Sequence, residues 1–275
     1  MSLYNKDIIK YEIIPSLVIN NKGPYLDENK IISIVQLILY RLKTGCQWRE
    51  LPIGHYMKED YSWQSVYHHF NKWSQLGCWQ KVWENLILEN HAELDLSSIQ
   101  IDGTHTPAKN GGEKVSYQGR KSTNTTNLLC ISDANGVLIA VAKPENGHHN
   151  DLYDIENQFH EMIQQFDNLK LNTDGLFLNG DAGFDSSLLR NLCNQKGIIP
   201  NFCFNKRNGN ITERDDFFDD TLYKKRTVIE HAFAWVDAFK SLIIRYEKSA
   251  QNWMSFHFIA FFLIFKRKIL NKNLL

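Results

Sequence analysis

The 275-residue chain lacks the usual marks of a secreted, zinc-bound or membrane-spanning protein. Its five cysteines (Cys46, Cys78, Cys130, Cys193 and Cys203) make no C-x-x-C pair and no even framework, and the start shows no leader pattern. Reduced thiols in a cytoplasmic protein are expected. The Cys and His spacings fit no zinc pattern. The most apolar segment, Trp253 to Phe265, falls short of the roughly 20 residues a membrane span needs and reads as a buried helix. Low-complexity tracts and internal repeats are absent. With 31 Lys and Arg against 31 Asp and Glu, the net charge is zero, so no global basic field draws nucleic acid in. What remains is ordinary globular composition, 43% hydrophobic and 23% charged, with length for one large domain or two smaller ones.

Charge is instead distributed locally. Residues 145–190 hold nine Asp and Glu against two Lys and Arg, whereas 221–275 hold ten Lys and Arg against three acids. The basic region is a candidate phosphate-facing surface or a set of solvated helix faces. Residues 1–95 read as helical. Apolar residues recur at helical spacing from Asn29 to Leu42, Gly45 ends that helix, Ser62 caps a second running to about Leu76, and a third runs from Trp79 to about His91. Such helices suit a helix-turn-helix DNA reader or a structural bundle, and the stripe Trp63, Trp73, Trp79 and Trp83 suits a core better than a base-stacking surface.

From residue 96 the pattern becomes β, β-hairpin, α, β, α, β, α. The first strand ends at Asp102. Thr126 to Ser132 and Gly136 to Ala142 form a hairpin through Asn135-Gly136. A helix is expected from about Asp151 to Phe166, a fourth strand over Leu176 to Asn179, a helix over Ser186 to Gln195, a fifth strand over Ile198 to Phe204, and one long helix from Leu222 to about Tyr246. This predicts an α/β fold, a mixed five-stranded sheet flanked by helices in the RNase H-like order, preceded by a small helical domain. The expected domains are 1–95, for DNA-end binding or dimerisation, and 96–275, for catalysis.

Three acids carry the chemistry. Asp102 lies at a strand end in Ile101-Asp102-Gly103-Thr104. Asp181 lies at another, between Gly180 and Gly183. Glu230 sits on the last long helix. Carboxylates so placed can hold two divalent ions about 3.5–4 Å apart, an arrangement that cuts and joins phosphodiesters. Helical periodicity puts Val228, Ala232, Trp235, Phe239 and Leu242 on one stripe, and Tyr223, Arg226, Glu230 and Asp237 on the other.

Tyr223, Arg226 and Glu230 match the spacing of a Tyr-x2-Arg-x3-Glu-x6-Lys signature. With Asp102-Gly103-Thr104, Asp181-Ala182-Gly183-Phe184-Asp185 and Gly45-Cys46-Gln47-Trp48-Arg49-Glu50-Leu51-Pro52, they make the chain resemble DDE transposases of bacterial insertion sequences over about residues 25–265. The signature's final Lys position holds Asp237, and Lys240 lies one turn on. The resemblance implies catalysis and metal binding by Asp102, Asp181 and Glu230. It implies two Mg²⁺, with Mn²⁺ able to substitute. It implies double-stranded DNA as partner, both the terminal inverted repeats and the target, a homodimer on that DNA, and a nucleoid-associated location in the bacterial cytoplasm. An RNase H-like nuclease without strand transfer and a non-catalytic DNA-binding relative are the alternatives.

Further DNA contacts are expected from Arg120 and Lys121, on a loop between the first two strands, and from the pair His148 and His149. There Asn150 or Asp151 is expected to cap the following helix. The run Asp215 to Asp220 is expected to complement the dipole of the Glu230 helix.

Overall fold

The computed structural model describes residues 5–19, 26–57, 61–208 and 217–270, the side chains of 269 and 270 excepted. The chain divides into two compact units. One comprises Met1–Glu89, Lys109–Glu113 and Val236–Leu275, and the other Asn90–Ala108 and Lys114–Trp235. The division differs from a single cut at 95/96, because residues 236–275 belong with the N-terminal helices.

In the first unit, α1 (Glu28–Thr44) starts at Asp27, whose carboxylate accepts from Lys30 N, and ends at left-handed Gly45. The helix α2 (Trp63–Gln75) starts at Ser62, whose hydroxyl accepts from Ser65 N, and α3 (Cys78–Glu89) follows. Trp73, Trp79 and Trp83 are at most 1% exposed, so this part of the tryptophan stripe is core. The C-terminal helix of this unit, here αC (Ala250–Phe265), is apolar around most of its circumference, and 13 of its 16 residues are buried. A helix without a polar face needs apolar neighbours on every side. Phe256 stacks on Phe70 at 4.4 Å, and Trp83 packs on Phe258 at 5.4 Å. No described helix is long and apolar enough to cross a membrane.

The second unit is built on β1 (Ile99–Pro107), β2 (Ser116–Gln118), β3 (Thr123–Ser132), β4 (Leu138–Val141), β5 (Glu145–Asn146), β6 (Phe177–Gly180) and β7 (Ile199–Phe202). The short strands β2, β5 and β4 succeed one another along one edge of β3, so the seven segments lie five abreast. The order across the sheet is β2/β5/β4, β3, β1, β6, β7. β1 is antiparallel to β3 and parallel to β6, and β6 is parallel to β7. This is the mixed sheet expected, with β1 at its centre. The β3–β4 turn is organised by Asp133, whose Oδ1 accepts from Asn135 N at 2.9 Å and Val137 N at 2.7 Å. The helix α4 (Ile155–Asn168) packs on β4, and α5 (Ser187–Gln195) on β7 and α4.

Two helices differ from expectation. The first begins at Ile155 rather than Asp151. Asp154, at φ +50°, precedes it without a side-chain cap, and Asp151 is engaged elsewhere. The expected long helix over 222–246 is interrupted. A turn over Asp220–Tyr223 leads through a tight 3₁₀ segment, Lys224–Thr227, into α6 (Val228–Val236), and the chain bends again before a turn over Lys240–Ile243. Tertiary contacts cause the second bend. Phe239 is 1% exposed, and Ser241 Oγ donates to Arg41 O at 2.7 Å, which a continuing helix would not permit. Lys240 is therefore not one turn beyond Asp237 on the Glu230 helix. The buried positions on α6 are Ile229, Ala232 and Val236, while Val228 and Trp235 are only half-buried. Asp215 and Asp216 lie outside the described residues. Asp219 has a definite role, since its Oδ1 accepts from Thr221 N and Leu222 N and starts the first turn.

Candidate active site

The position of the acids follows from the register of the sheet. Gln100 on β1 pairs with Asn179 on β6, and Asn179 with Asn201 on β7. All three side chains are fully buried. Side chains alternate faces with period two, so Asp102 and Asp181, each two residues further on, share the face of Gln100 and Asn179. They stand at neighbouring parallel strands, which are about 4.8 Å apart. The same row tethers the Tyr223 and Arg226 segment. Asn201 Nδ2 donates to Asn179 Oδ1 at 2.7 Å and to Asp219 O at 3.0 Å, and Asp219 N donates to Asn201 Oδ1 at 2.7 Å.

Asp102 is half-buried, and its Oδ1 accepts from Gly103 N at 2.8 Å. Its carboxyl is pushed up to about 6, first by burial and further by the negative charges of Asp151 and Asp181. The Gly103 N–H and Arg226 oppose the shift. Asp181 is exposed and caps the turn Ala182–Phe184, its Oδ1 accepting from Gly183 N at 2.7 Å. A Cβ on residue 183 would lie 2.8 Å from that oxygen and would push the carboxylate off its bond to the turn.

Asp151 is the residue the sequence reading assigned otherwise. It caps no helix. Its Oδ1 accepts from Asn127 Nδ2 at 2.9 Å and lies where a Cβ on Gly103 would be, at 2.1 Å. Gly103 thus makes room beside Asp102 for a further carboxylate. The sequence signal was the glycine directly after Asp102, which lies inside β1 rather than past its end.

Glu230 is exposed on α6, and its Oε1 pairs with Arg226 Nη1 at 3.4 Å. The Arg226 guanidinium lies 5.6 Å from the centre of the Tyr223 ring, and its charge reaches both Tyr223 and Asp102. The structure therefore gathers Asp102, Asp181 and Asp151, and the charge of Arg226 reaches Asp102. Glu230 is held by its ion pair with that arginine. Among the described residues no three His, Cys, Asp or Glu side chains already stand in common coordinating range. Rotation of Glu230 away from Arg226, an ion pair worth about 0.3–0.5 kcal/mol on a helix surface, is energetically minor.

Lys121 donates from Nζ to His105 O on β1 at 3.1 Å, and Arg120 is exposed beside it. His148 meets Ser116 Oγ at 2.7 Å, and His149 stacks on Tyr153 with ring centres 3.4 Å apart. The basic C-terminal stretch is partly structural. Arg245 is fully buried and Lys266 pairs with Glu12 at 2.9 Å.

The shift on Asp102 has a defined consequence for stability. Its folded pKa lies above the unfolded value, so folding favours the protonated acid. That stabilisation is fully present below about pH 4 and is lost as pH rises toward 6. The difference corresponds to about 2–3 kcal/mol. In the presence of a chelator, the stability of the native chain relative to Asp102→Asn is expected to fall by about that amount between pH 4 and pH 7 in urea titrations. Curves that stay parallel would show that Asp102 does not carry the shift.

A mixed sheet in this order, with helices packed on it, defines an RNase H-like fold. The family profile described as "Transposase DDE domain" matches residues 94–265, and the chain belongs to that family. A second profile, described as "Putative transposase of IS4/5 family", matches residues 18–83. Among solved structures, a piggyBac transposase synaptic complex with hairpin DNA aligns at 11% identity. The alignment covers 98% of this chain and 74% of that one, with a TM-score of 0.50, a likeness of fold. A pre-cleavage Mos1 transpososome aligns at 9% identity over 93% and 82% of the two chains, TM-score 0.30. A Mos1 mariner paired-end complex with Mn aligns at 11% identity over 90% and 80%, TM-score 0.30. No curated protein matches the chain.

Proposed function

We propose that this protein is the transposase of a bacterial insertion sequence, in the branch with the Tyr-x2-Arg-x3-Glu signature. In this reading it cleaves the element's ends and joins the freed 3′-hydroxyl to target DNA. The observation that carries the proposal is that Asp102, within β1, and Asp181, just past the end of the adjacent parallel strand β6, fall on one face of the sheet. The donor set fits a divalent metal site. Burial and neighbouring carboxylates hold Asp102 well above the ordinary carboxylate range, the condition that a bound cation relieves. Asp102, Asp181 and Glu230 would hold Mg²⁺ or Mn²⁺, which supplies charge stabilisation at the attacking and leaving oxygens.

The protein's own groups do the positioning. The sheet fixes Asp102 and Asp181. Arg226, freed from Glu230, is a forked donor suited to a scissile-strand phosphate. Tyr223, its ring against that guanidinium, limits how Arg226 can turn. Arg120, Lys121, His148 and His149 lie on loops of the same unit and would contact the DNA backbone, which sets position rather than sequence. Action as a homodimer on paired inverted repeats, in the bacterial cytoplasm, belongs to the same proposal.

The test supplies a pre-cut duplex with a free 3′-hydroxyl, a supercoiled target and Mg²⁺. A covalently joined product is expected. Hydrolysis of DNA with no joined product would replace the proposal with an RNase H-like nuclease. Binding with neither product would replace it with a non-catalytic relative.

A further inference from the structure

We infer that the helical unit carries a binding site for one unstacked nucleotide of single-stranded DNA, seated base-inward and selective for bases with an exocyclic amino group. The inference rests on the proposal that the chain acts on DNA. It concerns a cavity of about 730 Å³ formed by the end of α1, the Gln47–Arg49 turn, the start of α2, Asn110 and the Tyr246–Ser249 segment. That volume is within the range of small-molecule sites, about 300–1,000 Å³, and suits one nucleotide rather than a stacked duplex.

Three features define the ligand. The first is aromatic surface left open. Trp73, Trp79 and Trp83 are core, but Trp63 is only half-buried and lines the cavity, as does Tyr246, 48% exposed. Among the described residues neither ring has an aromatic partner. Open aromatic faces in a DNA-handling protein are platforms for bases, which stack on them whatever their sequence.

The second is a buried acceptor. Glu247, 9% exposed, receives Arg41 Nη2 at 3.0 Å and Trp48 Nε1 at 3.1 Å, both on Oε1. Its Oε2 takes no hydrogen bond from a described residue. Arg41 in turn is 5% exposed, and its Nε has no acceptor. Arg41 Nε is shut away from the cavity, so what the lining offers is the Glu247 Oε2 acceptor, which suits the exocyclic amino group of cytosine or adenine. Thymine offers a carbonyl where these bases offer the amine.

The third is the rim. Arg49 and Lys248 are exposed and have no acidic partner among the described residues. The buried carboxylate repels a phosphate and the rim cations attract one, so the base enters first and the phosphate stays outside.

The test is fluorescence anisotropy of labelled dC, dA and dT oligomers of equal length with the full chain, in EDTA so that the metal site is silent. The dC and dA oligomers are expected to bind about fivefold to a hundredfold more tightly than dT. Trp63→Ala should weaken dC binding by about tenfold to a hundredfold, and Glu247→Gln should bring the dC and dT affinities together. Should Glu247→Gln fail to fold by circular dichroism, Trp63→Ala, at a half-exposed position, decides. Equal affinity for all three oligomers, or native affinity in Trp63→Ala, would overturn the inference. A chain that joins DNA ends but shows no base selectivity loses this site alone. A chain that selects bases but neither cuts nor joins DNA loses the proposed function alone.

Discussion

Asp181→Asn is expected to lower metal-dependent DNA cleavage and joining by about a thousandfold or more, a loss of the kind seen when a charge-stabilising group is removed from a transition state. The folded structure should be unaffected. Asp181 is exposed, and the only described bond it accepts, from Gly183 N, is to an Oδ1 that asparagine retains. The substitution thus removes charge and keeps the turn. Asp102→Asn should be equally inactive for the same reason, since its Oδ1 also accepts a neighbouring backbone N–H. It should differ in stability, becoming more stable than the native chain near pH 7 because a repelled, half-buried charge is gone. Loss of activity with gain of stability separates a metal ligand from a structural acid. Activity within about tenfold of native in either variant, measured on a labelled duplex, would remove these residues from the reaction.

The largest effect on stability is expected at the base of the Asp181 turn. Arg190 on α5 is 4% exposed and Asp185 2%. Arg190 Nε and Nη2 both reach Asp185 Oδ1 at 2.8 Å, and Nη2 donates to Phe202 O at 3.1 Å. Asp185 Oδ2 accepts from Asn205 N at 2.8 Å. One buried pair thus joins the turn after β6, helix α5 and the end of β7. Asp185→Ala leaves a guanidinium buried without its carboxylate and should cost about 3–5 kcal/mol, read as a shift in the urea midpoint. A cost below about 1 kcal/mol would mean that solvent reaches the pair after all. Because the pair anchors the loop carrying Asp181, this variant should also lose DNA cleavage, even under conditions where it stays folded.

The parts of the site legible in the sequence are those set by local pattern. Ile99, Gln100 and Ile101 precede Asp102, Phe177 to Gly180 precede Asp181, and both strands form, although β1 does not end at Asp102 as expected but runs on through Gly103 to Pro107, because its pairing with β3 continues that far. Ser62 and Asn135-Gly136 mark a helix start and a hairpin by chemistry confined to a few residues. What the sequence did not disclose depends on distant partners. Asp151 looks like a helix cap because Asx residues before apolar periodicity usually are. Only the fold brings Asn127 and Gly103 to it, 24 and 48 positions away. The helix carrying Glu230 has no proline or glycine to stop it, yet it bends where Phe239 and Ser241 are drawn into the helical unit. Lys240 was consequently placed on a helix that does not continue to it. The tryptophan stripe reads as core from periodicity, and three of its members are. The fourth, Trp63, is set apart by its position in the first turn of α2, before the packed interior begins.

The central claim is that Asp102 and Asp181 hold a divalent metal on which DNA cleavage depends. Crystals of the native chain grown with end-bearing DNA and soaked in Mn²⁺ test it most directly, through the anomalous signal. The expected result is an anomalous peak bridged by the Asp102 and Asp181 carboxylates, with Glu230 turned away from Arg226 toward it and no peak in Asp181→Asn crystals. A protein that cuts its DNA in solution under the same Mn²⁺ concentration, yet shows no peak at these two residues, would contradict the claim.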